Sequence, residues 1–208
     1  MIFVTGATGF LGSYFLVELF KGKRQVRCLK RGTSDFAQLR IAYETSKPES
    51  YTYQELVDGI DWVDGDLLEI ASLGDFLEGV DEVYHLAAVV SFKTKERKDI
   101  FAANVHGTAN LINACIGKGV KRFHYSSSIA SLNRNEANVT NEAEDATNKK
   151  FSTTYSYSKY LAELEVWRTR AQQGPYKDWQ DAGYETSDDW SQIQNNADDF
   201  LSNPGAEY

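Results

Sequence analysis

Cysteine is scarce in this chain, which has only Cys28 and Cys115. Neither has a metal-ligating residue at useful spacing, so no metal site is expected. Both read as reduced thiols, one in an apparent strand and the other in an apparent helix. Long apolar runs are absent too: none approaches the roughly 18 residues of a membrane-spanning helix, which argues against a membrane partner. Positive charge is the minority sign, with 22 Lys and Arg against 30 Asp and Glu. No basic face gathers these cations, which argues against a nucleic-acid partner. The first residues, MIFVTGATGFLG, lack a basic leader region and their glycines interrupt any apolar one. No secretory signal is read there, and the cytoplasm is the expected compartment.

What is present is the composition of a globular protein, 42% hydrophobic and 13% aromatic over 208 residues. That length suits one full α/β domain with an appendage. The formal charge of −8 is unevenly spread. Residues 174–208 are rich in Asp and Glu against the single Lys177, while the rest of the chain is close to neutral. The expected organisation is a domain over residues 1–173 and an acidic tail over 174–208.

Apolar residues 2–5 form a short run ending in glycines, and Phe10, Leu11, Phe15, Leu16 and Leu19 follow at helical spacing. This reads as strand, tight loop, helix. Further strands are predicted over residues 25–29, 60–63, 82–87 and 120–125. A long amphipathic helix is predicted over 100–116, and another over 154–172. Strands alternating with helices of this length imply right-handed crossovers and a doubly wound parallel sheet of Rossmann type. The polar stretch between Leu132 and Thr154 reads as a surface loop.

The strand-to-helix turn is Thr5-Gly6-Ala7-Thr8-Gly9-Phe10-Leu11-Gly12. Missing side chains at Gly6, Gly9 and Gly12 let backbone approach a pyrophosphate and let the helix pack close to the strand. The helix N-terminal amides then face negative charge. A glycine triplet that follows a first strand and opens a helix therefore points to a dinucleotide. At the end of the second strand, Leu29-Lys30-Arg31-Gly32 offers no acid for a ribose 2′-hydroxyl. Arg31 suits the extra phosphate of NADP, although NAD is left open and a solvated strand-end charge is the alternative.

Tyr155 and Lys159 stand one turn apart on one face of the last predicted helix. A phenol of pKa ~10 is a poor base at neutral pH, and a neighbouring ammonium favours its phenolate. Ser126, Ser127 and Ser128 follow the fifth strand, at the sheet edge where ligands of such folds bind. His85, His106 and His124 read as packed or capped imidazoles.

TGATGFLG, Gly65-Asp66-Leu67, His85-Leu86-Ala87-Ala88, Asn104-Val105-His106-Gly107-Thr108, the serine strand end and Tyr155-Ser156-Tyr157-Ser158-Lys159 occur in order. Together they resemble the extended short-chain dehydrogenase/reductase family, the NAD-dependent epimerase/dehydratase group, over roughly residues 1–168. The resemblance implies an NAD(P)-dependent oxidoreductase acting on a small-molecule carbonyl or hydroxyl. Cofactor contacts are implied for Gly6, Thr8, Gly9, Phe10, Leu11, Gly12, Arg31, Asp66, Leu67, Ala87, Ala88 and Lys159, with Asp66 at the adenine amino group and Lys159 at the ribose. Tyr155 would exchange a proton with the substrate while hydride passes to or from the nicotinamide. Ser128 would fix the substrate oxygen, with Ser127 as a helper. Asn104 would order the site or serve structure alone.

After Arg168 the resemblance fades. No convincing β-branched strand follows, and Asn203-Pro204-Gly205 comes too late for the family's turn. Ser187 could open a short helix with an apolar stripe at Trp190, Ile193, Ala197 and Phe200. The substrate-binding part thus reads as shortened or missing. That leaves two alternatives open, a dinucleotide-binding module without turnover and a nucleotide-sugar epimerase or dehydratase. The resemblance also implies a homodimer through helices at 96–117 and 154–172, where Tyr160, Leu161, Leu164 and Trp167 form an apolar face that could equally be core.

Overall fold

The chain is described by a computed structural model over residues 1–132, 151 and 153–173. The expected short helix and the late Pro-Gly turn lie outside these residues. Two compact units divide the chain, Met1–Ala88 with Asn110–Ser126, and Val89–Ala109 with Ser127–Tyr208.

In the first unit, β1 (Ile2–Thr5) is buried at all four positions. A strand with no exposed face belongs in the middle of a parallel sheet covered on both sides. It pairs in parallel with β2 (Val26–Lys30) and β4 (Glu82–His85), so that Val4 lies opposite Cys28 on one side and Tyr84 on the other. Strands β3 (Asp61–Asp64) and β5 (Arg122–Tyr125) complete the order β3-β2-β1-β4-β5. All pairings are parallel, and the order reverses between β1 and β4. Each strand lies within a few residues of its predicted span, and the fold is Rossmann-like.

Period-2 alternation sorts the strand side chains into two apolar layers. Ile2, Val4, Val26 and Cys28 pack with Leu16 and Val17 of α1 (Phe10–Lys21), Leu39 and Ala42 of α2 (Ala37–Ser46) and Leu56 of α3 (Tyr53–Asp58). Phe3, Leu29 and Val83 pack with Leu73 of α4 (Ile70–Phe76) and with Leu111 and Cys115 further along the chain. Helix α3 starts at a capping box, the Glu55 amide donating to Thr52 Oγ1 while the Thr52 amide donates to Glu55 Oε2. The outer strands are joined by charge in register. Arg27 faces and pairs with Asp61, Lys30 with Asp64, and Arg122 with Glu82.

The single helix predicted over 100–116 is a composite. Helix α5 (Arg97–Phe101) runs into a wide π turn, Ala102–His106, and then α6 (Gly107–Lys118). In the second unit, α5, this π turn, a 3₁₀ turn at Ile129–Ser131 and α7 (Thr154–Gln173) surround Phe101, Val105, Tyr157 and Leu161. Among the described residues no helix is long and apolar enough to cross a membrane.

Candidate functional site

The first unit closes a tight glycine turn between β1 and α1. Gly6 has φ +73°, and a Cβ there would lie 2.5 Å from the Ala87 amide nitrogen. A Cβ on Gly12 would lie 2.1 Å from the Gly6 carbonyl oxygen. No side chain fits at either place, because the end of β4 and the start of α1 both close on the same loop. Thr5, fully buried, ties the strand ends together: its hydroxyl is 2.6 Å from His85 Nδ1, and its backbone carbonyl accepts from the Leu86 amide. His85 is therefore a packed imidazole. Gly9 caps α1 with no side-chain acceptor, and no acid stands in the first turn. The first turn of this twelve-residue helix thus has neither a side-chain cap nor an acid of its own to complement its dipole. Phe10 and Leu11 beside them are exposed, at 71% and 54%.

The same unit carries the other nucleotide positions expected from the sequence. Arg31 is exposed just past β2, where its carbonyl accepts from the Ser34 amide in a tight turn. No ion pair engages it among the described residues, whereas neighbouring Lys30 is held by Asp64. Asp66 is half-buried, and one carboxylate oxygen accepts from the Leu68 amide at 2.9 Å. Leu67 is buried, and its carbonyl accepts from Asn110 Nδ2 at 3.0 Å. That contact anchors the Gly65-Asp66-Leu67 turn by a residue the sequence had not singled out. Ala87 is half-buried and Ala88 exposed.

The second unit holds Tyr155 and Lys159. Tyr155 is half-buried on α7, and the exposed ring of Phe92 stands edge-on to it at 6.3 Å between centroids. Lys159 is 2% exposed. Burial pushes its ammonium down from 10.5 to about 8, partly offset by the negative charge of Glu163. It therefore stays mainly cationic at neutral pH while holding its proton less tightly than a surface lysine. Tyr157 is buried against Phe101 and Phe151 and takes no part in this arrangement. Leu161, with Tyr160 and Leu164, packs in the same apolar cluster, while Trp167 is partly exposed.

The π turn explains Asn104. The widened turn carries a buried carboxamide whose Oδ1 accepts from the Val89 amide at 2.7 Å and whose Nδ2 donates to the Val89 carbonyl at 3.0 Å. Nδ2 also donates to Ser158 Oγ at 2.9 Å, and Ser158 in turn donates to the Tyr155 carbonyl. One side chain thus fixes the strand-exit backbone and the first turn of α7, a use of π turns often met at functional sites.

Among the serines, Ser128 is half-buried, has extended backbone and caps the 3₁₀ turn, its Oγ accepting from the Ala130 amide at 3.2 Å. Ser127 instead donates to Glu163 Oε2 at 2.7 Å. Glu163 was not singled out from the sequence, although its position four residues after Lys159 was a usable signal. Among the described residues no group of His, Cys, Asp and Glu is arranged to hold a metal ion.

A tight glycine turn after the first strand, an order reversal in a parallel sheet and a Tyr-x-x-x-Lys helix are features of the nucleotide-binding class of α/β folds. The family model for the NAD dependent epimerase/dehydratase family matches residues 2–177, and the chain belongs to that family. It is 34% identical over 173 residues to a dihydroflavonol 4-reductase-like protein of Synechocystis sp., a match covering 83% of this chain and 45% of that protein. It is 29% identical over 181 residues to dihydroflavonol 4-reductase of Arabidopsis thaliana, covering 82% and 45%. A short-chain dehydrogenase/reductase superfamily protein of Agrobacterium tumefaciens, solved with bound NAD, superposes with a TM-score of 0.62 at 28% identity, covering 84% of this chain and 46% of that one. The chain spans slightly less than half the length of these relatives.

Proposed function

We propose that this chain is the cofactor-binding and proton-transfer part of an NADP-preferring oxidoreductase acting on a small carbonyl or alcohol. The observation that carries the reading is the tight turn between β1 and α1, where a side chain on Gly6 or Gly12 would meet the chain's own backbone within 2.5 Å. A turn closed this tightly sets the start of α1, which has no side-chain cap and no acid in its first turn, at the sheet end, an arrangement that suits a pyrophosphate. Gly6, Thr8, Gly9, Phe10, Leu11 and Gly12 would hold the phosphates. Asp66, Leu67, Ala87 and Ala88 would line the rest of the nucleotide. Arg31 supports the preference for NADP, because its exposed guanidinium has no carboxylate partner among the described residues and suits bidentate phosphate contact. When bound, the dinucleotide supplies or accepts the hydride.

The chain's own contribution is proton chemistry. Tyr155 Oη gives a proton to a carbonyl oxygen or takes one from a hydroxyl. The Lys159 ammonium, still charged at neutral pH, stabilises the phenolate form of Tyr155. Ser128 Oγ donates to the same substrate oxygen. Asn104 keeps the Val89 backbone and the first turn of α7 in place while this happens.

Titration with NADPH and NADH, read by nucleotide fluorescence on wild type and Arg31→Ala, tests the cofactor assignment. NADPH is expected to bind at least tenfold more tightly than NADH, and Arg31→Ala to remove most of that difference. Equal affinities in the wild type would refute the NADP preference, and binding of neither would refute the pyrophosphate site. Reduction of a panel of aromatic and aliphatic ketones with NADPH, compared with Tyr155→Phe, tests turnover. Cofactor binding with no turnover of any ketone would make the chain a dinucleotide-binding unit only.

A further inference from the structure

We propose that Glu163 is a positioning residue of the Ser-Tyr-Lys site, its carboxylate fastening the serine turn to the helix that carries Tyr155 and Lys159. The inference rests on the reading above and extends it to a residue with no role there.

Glu163 follows Lys159 by four residues and Tyr155 by eight, so the three stand on successive turns along one stripe of α7. One carboxylate oxygen, Oε2, gathers two hydroxyls from the turn after β5: Ser127 Oγ at 2.7 Å and the buried Ser131 Oγ at 2.8 Å. The other oxygen lies 3.5 Å from Trp167 Nε1, one turn further along the helix. Ser131 Oγ is also 2.7 Å from the Ser128 carbonyl, so its single proton serves one of two acceptors that flank it. Ser128 caps the same turn through the Ala130 amide. The 3₁₀ turn is thereby held from inside by Ser128 and from α7 by Glu163.

Two consequences follow for the chemistry. A serine hydroxyl has one proton, and that of Ser127 is committed to a carboxylate by a charge-assisted hydrogen bond. Ser127 is therefore unavailable as a donor to a substrate oxygen, whereas the Ser128 hydroxyl only accepts, from the Ala130 amide, and keeps its proton for that oxygen. The same carboxylate adds negative charge near Lys159, opposing the effect of burial on its ammonium. Glu163 thus holds the serine turn in place and partly restores the proton affinity that burial takes from the lysine, without touching substrate.

The test uses Glu163→Ala and Glu163→Gln in the full chain, since the glutamine amide oxygen still accepts from serine but carries no charge. Hydrogen exchange by mass spectrometry reads the backbone amides of residues 128–132. NMR of ¹³Cε-labelled lysine, assigned with Lys159→Arg, reads the Lys159 titration. Other charges on α7 and the elements packed against it, Arg97, Lys98, Asp99, His106, Glu165 and Arg168, stay unchanged in both variants.

Exchange at 128–132 is expected to rise about tenfold in Glu163→Ala and to stay near wild type in Glu163→Gln. The Lys159 midpoint is expected to fall below about 8 in both. Exchange unchanged in Glu163→Ala, no rescue by glutamine, or an unmoved lysine midpoint would each overturn the proposal. If Glu163→Ala does not fold, the Ser127→Ala and Ser131→Ala double variant reads the same exchange. Both measurements need neither cofactor nor substrate. Failure of NADPH and NADH to bind the wild type would sink the functional reading while leaving this result to be judged by itself.

Discussion

Replacing Gly6 by alanine probes the close approach of two strand ends, and the structure sets both the size and the direction of the effect. The residue has φ +73°, a left-handed conformation that costs an alanine roughly 1–2 kcal/mol. Its new Cβ would sit 2.5 Å from the Ala87 nitrogen, 2.7 Å from Ala87 Cα and 2.7 Å from the Leu86 carbonyl carbon. These are backbone atoms of a strand end whose amides are already bonded to Thr5, so no side-chain rotation relieves the clash. Forcing such a contact costs about 1–3 kcal/mol more. The sum, about 2–5 kcal/mol, corresponds to a fall in Tm of roughly 4–20 °C for a chain of this length. Relief must open the loop away from Ala87, which takes the amides of the glycine turn with it, so NADPH affinity should fall at least tenfold. The control is Gly32→Ala, where no atom lies within 4 Å of the new Cβ, and its stability should change by less than about 0.5 kcal/mol. Differential scanning fluorimetry with and without NADPH reads both quantities. A Gly6→Ala variant that melts with the wild type and binds NADPH as tightly would show that the turn has slack the geometry denies.

Two further substitutions test the networks that hold the units in shape. Asn104→Asp keeps the acceptor for the Val89 amide but removes the donors to the Val89 carbonyl and Ser158, at a cost of about 1–3 kcal/mol at pH 7. Urea unfolding should show the loss shrinking below pH 4, where a protonated aspartic acid can donate again; a loss independent of pH would be inconsistent with this account. Glu82, buried at the start of β4, is held far below the usual carboxylate range by hydrogen bonds from Arg122 and, against the opposing effect of burial, from Arg24, His124 and Tyr84. A depressed folded-state value means stability fully present above the ordinary value near 4.5 and lost as pH falls through the folded-state one. Melting temperatures of wild type and Glu82→Gln should therefore differ most at pH 7 and converge toward pH 2, whereas a constant gap would refute the linkage.

Much of this molecule was legible along the chain because its signals are local. Strand length, the 3.6-residue period of the helices, the glycine triplet after a buried strand and the four-residue Tyr-Lys spacing all depend on neighbours within a turn or two. They led to the parallel Rossmann-like sheet with strand positions accurate to a few residues. Only tertiary structure decided the rest. The need for glycine at position 6 comes from Ala87, far along the chain, at a distance no local pattern encodes. The helix predicted as continuous over 100–116 widens into a π turn, where Asn104 bonds both to the Val89 backbone and to Ser158 on another helix. That Ser127 has no proton to spare depends on Glu163, 36 residues beyond it, and on the geometry that brings the carboxylate to it. Periodicity and turn chemistry determine elements and mark where chemistry is carried. The direction of each hydrogen bond in the site depends on partners that only the folded chain brings within 3 Å.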